Sequence, residues 1–287
     1  MNRGSECLEG VARTVALALE EDHAMADATS GAVVPSSARA RAEIVARANG
    51  VLSGCAYANA ALLQCDPSME IDWLKTDGSP VLIGEQILTC KGPAVGILAA
   101  ERTALNFLQQ LSGVATQTAL AVAQAGSVRV LDTRKTVPLH RDAQKAAVVH
   151  GGGENHRRDL EDQLLLKENH FALSGLPYAA TVQAAIAHAK GRKVGVEAET
   201  YEQAQQALAA GAAYVLLDNF KGEALREVAS RLLEEFPNAE LEASGGYAID
   251  ELSGLAEMGL HRVSMGGLTH SVPALDLSML LQPLQEA

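Results

Sequence analysis

The chain has 287 residues, 48% of them hydrophobic, with 25 glycines and one Trp, which is ample for a large core in one domain or two. Its 35 acidic residues against 23 Lys and Arg give a formal net charge of −12, which argues against a nucleic acid or an anionic membrane as partner, since both demand a long-range positive field. Four scattered cysteines (Cys7, Cys55, Cys65, Cys90) with no C-x-x-C pair read as reduced thiols, and with no apolar leader and no run near the ~18 apolar residues of a membrane span, a soluble cytoplasmic protein is expected.

Leu8, Val11, Val15 and Leu19 carry helical spacing, and Asp27-Ala-Thr-Ser30 reads as a polar turn. From Ala42 to Pro93 the pattern changes to short strand candidates (Glu43–Ala46, Val51-Leu52, Ile71–Leu74) with turns at Asp77-Gly78 and Gly84-Glu85, predicting a small α+β domain with an antiparallel sheet. Ile97 to Leu111 is the clearest helix, apolar at 97, 98, 104, 105, 108 and 111, with Arg102 on the flank of that stripe. Taken alone, Arg102 is an ordinary surface arginine.

After Ser112-Gly113 the chain becomes repetitive. Apolar runs end at Leu131, Leu166, Val196, Leu217, Leu241 and Met265, each followed by charged, Ser or Gly residues, and Ala-rich helical segments (Tyr201–Ala210, Gly222–Phe236, Asp250–Met258) lie between the later runs. Strands alternating with helices imply a parallel sheet with right-handed crossovers. Six such units predict an α/β barrel, incomplete against the usual complement, whose active site lies at the carboxyl ends of the strands. The tail from Val272 holds no further unit and is expected to pack back on the first domain.

The stretch Val128–His170 organises the chemistry. Seven of the 23 Lys and Arg fall between Arg134 and Lys167, and Arg134, Lys135, His156, Arg157 and Lys167 placed at one set of strand ends make a basket for a multiply anionic small ligand. Glu197 and Glu199 alternate on one strand face and Asp218 ends the next strand, which suits a hard cation, sugar hydroxyls, or ion pairs with the basket. Glycine turns at Ser244-Gly245-Gly246 and Gly266-Gly267 follow two late strands, where bare backbone N–H groups cradle phosphate. Together these describe a phosphorylated ribose activated for transfer, meeting an acidic co-substrate. His23, His150, His188 and His261 read as surface or loop residues; His170 and His270 follow motif residues and could orient them. No His/Cys spacing points to structural zinc, and no Ser/His/Asp elbow to a hydrolase.

At these residues the sequence closely resembles the quinolinate phosphoribosyltransferase family (nicotinate-nucleotide pyrophosphorylase, carboxylating). The motifs are Glu101–Leu108 with Leu111-Ser-Gly113, Asp132-Thr-Arg-Lys-Thr136, Asn155-His-Arg157, Leu166–His170, Val196-Glu197, Leu216-Leu-Asp-Asn219, Glu242–Gly246 and Gly266–Pro273, in order over nearly the whole chain. The resemblance implies synthesis of nicotinate mononucleotide from quinolinate and phosphoribosyl pyrophosphate, with release of pyrophosphate and CO2 and with Mg2+. It implies that Arg134, His156, Arg157 and Lys167 hold the quinolinate carboxylates and that Thr133 joins the substrate contacts. Lys135, Glu197 and Asp218 would be the catalytic set, serving the ribose and its metal-bound pyrophosphate, with Glu197 and Asp218 near the metal, directly or through substrate or water. Ser244, Gly245, Gly246 and Gly266 would line the phosphate sites. Arg102 would reach in from the neighbouring subunit of a homodimer. The implied fold is an incomplete α/β barrel of the type II phosphoribosyltransferase kind (residues 114–271, seven strands) beside a smaller N-terminal α/β sandwich (residues 1–113) joined by the tail 272–287.

The chain departs from the family pattern at Val137-Pro-Leu-His-Arg141, at Gly195, which stands where a Glu is usual, and in His23–Asp27. Two enzymatic alternatives share the fold: a paralogue linked to molybdate-transport loci, in which the Asp-Thr-Arg-Lys and Asn-His-Arg motifs diverge, and a nicotinate-using transferase, for which five cations would be excessive. A non-catalytic phosphoribosyl-ligand binder is the alternative from another class, and the Glu197/Asp218 pair speaks against it.

Overall fold

The computed structural model describes residues 3–284, with side chains from Glu9 onward, so Cys7 and Leu8 lie outside the described side chains. The chain runs α1 (Arg3–Glu21), α2 (Ala28–Val33), β1 (Arg39–Ala46), β2 (Gly50–Val51), α3 (Cys55–Cys65), β3 (Glu70–Trp73), β4 (Pro80–Val81), β5 (Gln86–Pro93), α4 (Ala94–Ala125), β6 (Arg129–Leu131), α5 (Arg141–His150), β7 (Leu164–Leu166), α6 (Glu168–Ser174) and α7 (Tyr178–His188). It continues with β8 (Val194–Ala198), α8 (Tyr201–Ala209), β9 (Tyr214–Asp218), α9 (Gly222–Glu235), β10 (Leu241–Ser244), β11 (Arg262–Ser264), α10 (Gly267–His270) and β12 (Leu277–Pro283). It divides into two compact units, Met1–Gln117 with Pro138–Gly151 and Val272–Ala287, and Thr118–Val137 with Gly152–Ser271.

The first unit is built on the antiparallel sheet β12-β1-β5-β3. In β1 alternate residues Ala40, Ala42, Ile44 and Ala46 are buried, the period of two that a half-covered sheet dictates. The tail strand β12 pairs with β1 from Ala40↔Pro283 to Ala46↔Leu277. On α1 the buried residues Val11, Val15 and Leu19 recur every four positions. The polar turn at Asp27 is the N-cap of α2, its carboxylate accepting from the N–H groups of Thr29 (3.0 Å) and Ser30 (3.1 Å).

Helix α4 is far longer than the 97–111 segment that periodicity marks. It passes through Ser112-Gly113, which reads from sequence as a break, without interruption. Gly113 is there for clearance instead, because an ideal β-carbon at that position would overlap the carbonyl oxygen of Pro273, which precedes β12. The tail passes too close to the helix for any side chain.

The second unit is the parallel sheet β6-β11-β10-β9-β8-β7. Its central strands are buried on both faces, which explains why they read as unbroken apolar runs. Six strands match the number of apolar runs, whereas the resemblance implies seven. At the seventh position stands a single parallel bridge between Leu131 and Glu154, with Glu154 N–H donating to Val130 O at 2.8 Å and Asp132 N–H to Glu154 O at 3.2 Å. The ring of strands is thus an incomplete α/β barrel, open between Glu154 and β7. The helix expected over Asp250–Met258 is not an α-helix: one 3₁₀ turn, Ile249–Glu251, leads into consecutive turns that include Gly254 (φ 85°) and Gly259 (φ 84°).

Candidate active site

Register sets which side chains share a face of the barrel sheet. Leu165 pairs with Gly195 and Gly195 with Tyr214; Glu197 pairs with Leu216, Glu242 with both Leu216 and Arg262, and Ser244 with Asp218. Because side chains alternate, Gly195 and Glu197 point the same way, as do Tyr214, Leu216 and Asp218, and Glu242 and Ser244. The upper members, Glu197, Asp218 and Ser244, lie at or next to the carboxyl ends of their strands, where Lys167 follows β7. Tyr214, Glu242 and Arg262 lie deeper. Glu242, which sequence reading puts among the polar residues after its strand, is inside β10 and fully buried.

Arg134 and Lys135 follow β6, His156 and Arg157 follow the Glu154 bridge, and Lys167 follows β7. Asp132, fully buried just past β6, anchors the next segment by accepting from His156 N–H (2.9 Å). His156 and Arg157 are themselves buried, and Arg157 N–H donates to His156 Nδ1 (2.7 Å), which puts the proton of the neutral ring on Nε2. The Arg157 guanidinium donates to Gln163 O at 3.3 Å. Burial and then the Arg134 charge pull Arg157 below the ordinary guanidinium range, while Tyr214 and the Glu197 and Asp162 carboxylates act the other way.

Lys167 is ion-paired with Glu197, and its own backbone N–H donates to His170 Nδ1 at 3.0 Å, so His170 does orient a motif residue. Thr133 Oγ1 accepts from Lys135 N–H (3.0 Å), folding the Asp-Thr-Arg-Lys turn, and Thr269 Oγ1 donates to Lys135 O (2.8 Å). A β-carbon on Gly266 would lie 2.9 Å from Lys135 Cδ, so Lys135 lies directly over that glycine turn. Gly245, at φ 107°, approaches Asn219 so closely that a β-carbon would sit 2.8 Å from Asn219 N, and Gly246 follows at φ 59°. Tyr247 fixes that loop by donating from its hydroxyl to Phe220 O (2.6 Å). A cavity of about 260 Å3 is lined by Glu199, Asp218, Asn219 and Phe220, and one of about 130 Å3 by Glu168, Phe171, Tyr178, Glu197, Glu199 and Gln203. Glu199 therefore faces both. Arg102 is exposed on α4, in the first unit.

Sequence reasoning places the rim residues but misses what lies under them. Buried Tyr214, Arg262 and Glu242, with half-buried Gln163 beside them, form a polar layer. The Arg262 guanidinium stacks over the Tyr214 ring at 3.8 Å, and Arg262 Nε is 2.6 Å from Glu242 Oε2. Apart from the departure at Gly195, nothing in the pattern marks this layer. Of the histidines read as surface residues, His23, His188 and His261 are exposed, whereas His150 is half-buried with Nδ1 2.9 Å from Ser53 Oγ.

Crowded cations beside carboxylates and glycine turns, at the rim of an incomplete α/β barrel, define an enzyme of the phosphoribosyltransferase class. Sequence models described as quinolinate phosphoribosyl transferase, N-terminal and C-terminal domains, match residues 27–112 and 114–280. The chain is 38% identical to the nicotinate-nucleotide pyrophosphorylase (carboxylating) of Rattus norvegicus, over 87% of this chain and 84% of that protein, and 37% identical to a probable enzyme of the same name from Bacillus subtilis, over 90% and 89%. The structure of the nicotinate-nucleotide pyrophosphorylase from Francisella tularensis superposes with a TM-score of 0.90 at 37% identity, covering 96% of this chain and 97% of that one. The chain belongs to the quinolinate phosphoribosyltransferase family.

Proposed function

We propose that the chain transfers the phosphoribosyl group of phosphoribosyl pyrophosphate to the ring nitrogen of quinolinate and releases CO2, giving nicotinate mononucleotide and pyrophosphate for de novo NAD biosynthesis. The observations that carry this reading are the family match over residues 27–112 and 114–280 and the buried His156 and Arg157, on the segment that the buried Asp132 carboxylate holds. A diacid brings two carboxylates that these cations can bind. Arg134, His156, Arg157 and Lys167 hold the two carboxylates, with Thr133 shaping the turn beneath. Lys135, Glu197 and Asp218 serve the ribose and pyrophosphate, and Ser244, Gly245, Gly246 and Gly266 offer backbone to phosphate.

The C1–O bond to pyrophosphate breaks, its electron pair leaving with the pyrophosphate, as the pyridine nitrogen lone pair forms the C1–N bond. Positive charge that develops at C1 is offset by Glu197 and Asp218. The quaternised ring then accepts the electron pair released as the C2 carboxylate departs as CO2, and C2 takes a proton from water. Among the described residues no group of three or more His, Cys, Asp or Glu side chains could hold a metal ion alone. Glu197 and Asp218 nevertheless fit Mg2+, which is held by one or two carboxylates together with substrate phosphates. Bound there, it would neutralise the leaving pyrophosphate.

Arg102, exposed on α4, completes the site across a homodimer in this reading. The free thiols of Cys55, Cys65 and Cys90 suit a reducing, cytoplasmic setting, and among the described residues no helix is long and apolar enough to cross a membrane. The deciding experiment follows CO2 from carboxyl-labelled quinolinate. Release should require both phosphoribosyl pyrophosphate and Mg2+, and nicotinate should not replace quinolinate as acceptor. Folded protein that releases no CO2 with both substrates and Mg2+ present overturns the reading.

A further inference from the structure

The polar layer beneath the rim converges on one side chain. Tyr214 is fully buried in β9, directly opposite Gly195 in the ladder, and an ideal β-carbon on Gly195 would overlap its ring. Its ring and hydroxyl meet three polar neighbours. One face carries the Arg262 guanidinium at 3.8 Å, and the ring meets His156 in an edge contact, with centroids 5.9 Å apart and planes at 74°. Its hydroxyl donates to Gln163 Oε1 at 3.3 Å, while the backbone oxygen of the same Gln163 receives the Arg157 guanidinium. Arg262 in turn holds Glu242, whose Oε1 lies 3.7 Å from His156 Nε2.

His156 and Arg157 therefore both rest on Tyr214, one by direct ring contact and the other through Gln163. We propose that Tyr214, seated in the space that Gly195 leaves, is a positioning residue that fixes the orientation of His156 and Arg157 and thereby the grip on the pyridine dicarboxylate. The proposal rests on the functional reading above for the identity of the ligand, but not for the geometry. A buried aromatic ring has few rotamers and loses little freedom on burial, so it makes a stiffer support than an aliphatic side chain of the same volume. Arg262 and Glu242 match in charge, so the layer adds no net charge under the cations it supports. Filling the barrel interior needs only volume, and Leu165 and Leu216, buried beside Tyr214, already supply that kind of packing. A tyrosine that bonds Gln163 and faces His156 does more.

Two readouts on the full chain test this. In a nitrogen-15 spectrum of the histidine rings, with His156 assigned through a His156→Asn variant, Tyr214→Leu should move the His156 nitrogens from the Nε2-protonated pattern toward a tautomer average. Tyr214→Phe should leave them in place. In steady-state kinetics Tyr214→Leu should raise the KM for quinolinate on the order of tenfold while the KM for phosphoribosyl pyrophosphate stays within about twofold, the signature of a displaced binding group. Gly195→Ala alone should show the same split, and added to Tyr214→Leu it should cost nothing more.

Should Tyr214→Leu fail to fold, Tyr214→Met fills the space without a ring and takes both measurements in its place. An unchanged His156 pattern, or a loss shared equally by both substrates, overturns the proposal. If the unsubstituted enzyme releases no CO2 from quinolinate, the functional reading falls, and the histidine spectrum alone still decides the role of Tyr214.

Discussion

Lys167 and Glu197 form an ion pair at the ends of neighbouring strands, although the proposed function gives the two side chains different substrates. Lys167 is assigned to a quinolinate carboxylate and Glu197 to the activated ribose. Binding at one half of the site thus alters the partner available to the other. Lys167→Met should raise the KM for quinolinate on the order of ten- to a hundredfold, the range for losing a charge-assisted hydrogen bond. It should also shift the KM for phosphoribosyl pyrophosphate, because Glu197 is released. Initial-rate measurements with each substrate varied in turn check both changes.

The glycine turn after β10 gives a second expectation. Gly245 combines φ 107° with the close approach of Asn219, so Gly245→Ala meets a backbone it cannot adopt and a neighbour it cannot displace. The cost to stability should be about 1–3 kcal/mol. The larger effect should fall on phosphoribosyl pyrophosphate, with kcat/KM down by about a hundredfold, as expected for a misplaced binding loop. Thermal melting and kinetics of the same preparation separate the two.

The proposal that Arg102 completes the site across a homodimer makes a prediction of its own. Arg102→Ala and Lys135→Ala should each be nearly inactive. Mixed under conditions of subunit exchange, they should regain up to about a quarter of the original activity, because one site of each hybrid dimer then holds no substitution while the other holds both. Native mass spectrometry confirms the exchange, and verified hybrids with no activity would count against a site shared between subunits.

Burial raises the Glu242 carboxyl above its usual range, and Arg262 is the main influence opposing that rise. Arg262→Met removes the opposing charge and leaves the carboxyl higher still. A carboxyl whose folded pKa exceeds its unfolded value, about 4.3 for Glu, binds its proton more tightly when folded. The stability it contributes is complete below the unfolded value and is lost as pH rises toward the folded one. Arg262→Met should therefore cost little near pH 4.5 and about 3–5 kcal/mol at neutral pH, the range for breaking a buried pair. Urea midpoints across that window test the sign as well as the size.

Gly113 shows helix propensity and packing in opposition. On propensity alone Gly113→Ala would stabilise α4 by about 0.5–1 kcal/mol. Overlap with the Pro273 carbonyl should outweigh that, since forcing atoms into filled space costs about 1–3 kcal/mol. Net destabilisation is expected, read as a lower denaturation midpoint.

The same glycine illustrates how far the chain can be read as sequence. Runs ending at Leu131, Leu166 and Leu217 announce the barrel, because a strand covered on both faces has to be apolar throughout and then break into polar residues at its end. Arg134, His156, Arg157 and Lys167 stand out in the sequence for a related reason: cations concentrated in an acidic chain have few purposes. Gly113 misleads because a glycine imposed by a neighbour far along the sequence looks like a glycine that ends a helix. The turns after Ile249 mislead because apolar spacing survives there while Gly254 and Gly259 break the backbone. Tyr214 and Arg262 stay hidden because Tyr-Val-Leu-Leu and Arg-Val-Ser are equally good strands whichever residue faces inward. Only register reveals that.

The reciprocal fit of Gly195 and Tyr214 also constrains the order in which this barrel can change. A side chain that arises at 195 while the aromatic ring stands opposite must displace the ring, whereas the ring can shrink while 195 is bare. A path that rebuilds the interior from Tyr214 therefore meets no overlap at its first step, whereas one that starts at 195 gives up the grip on quinolinate before it gains anything.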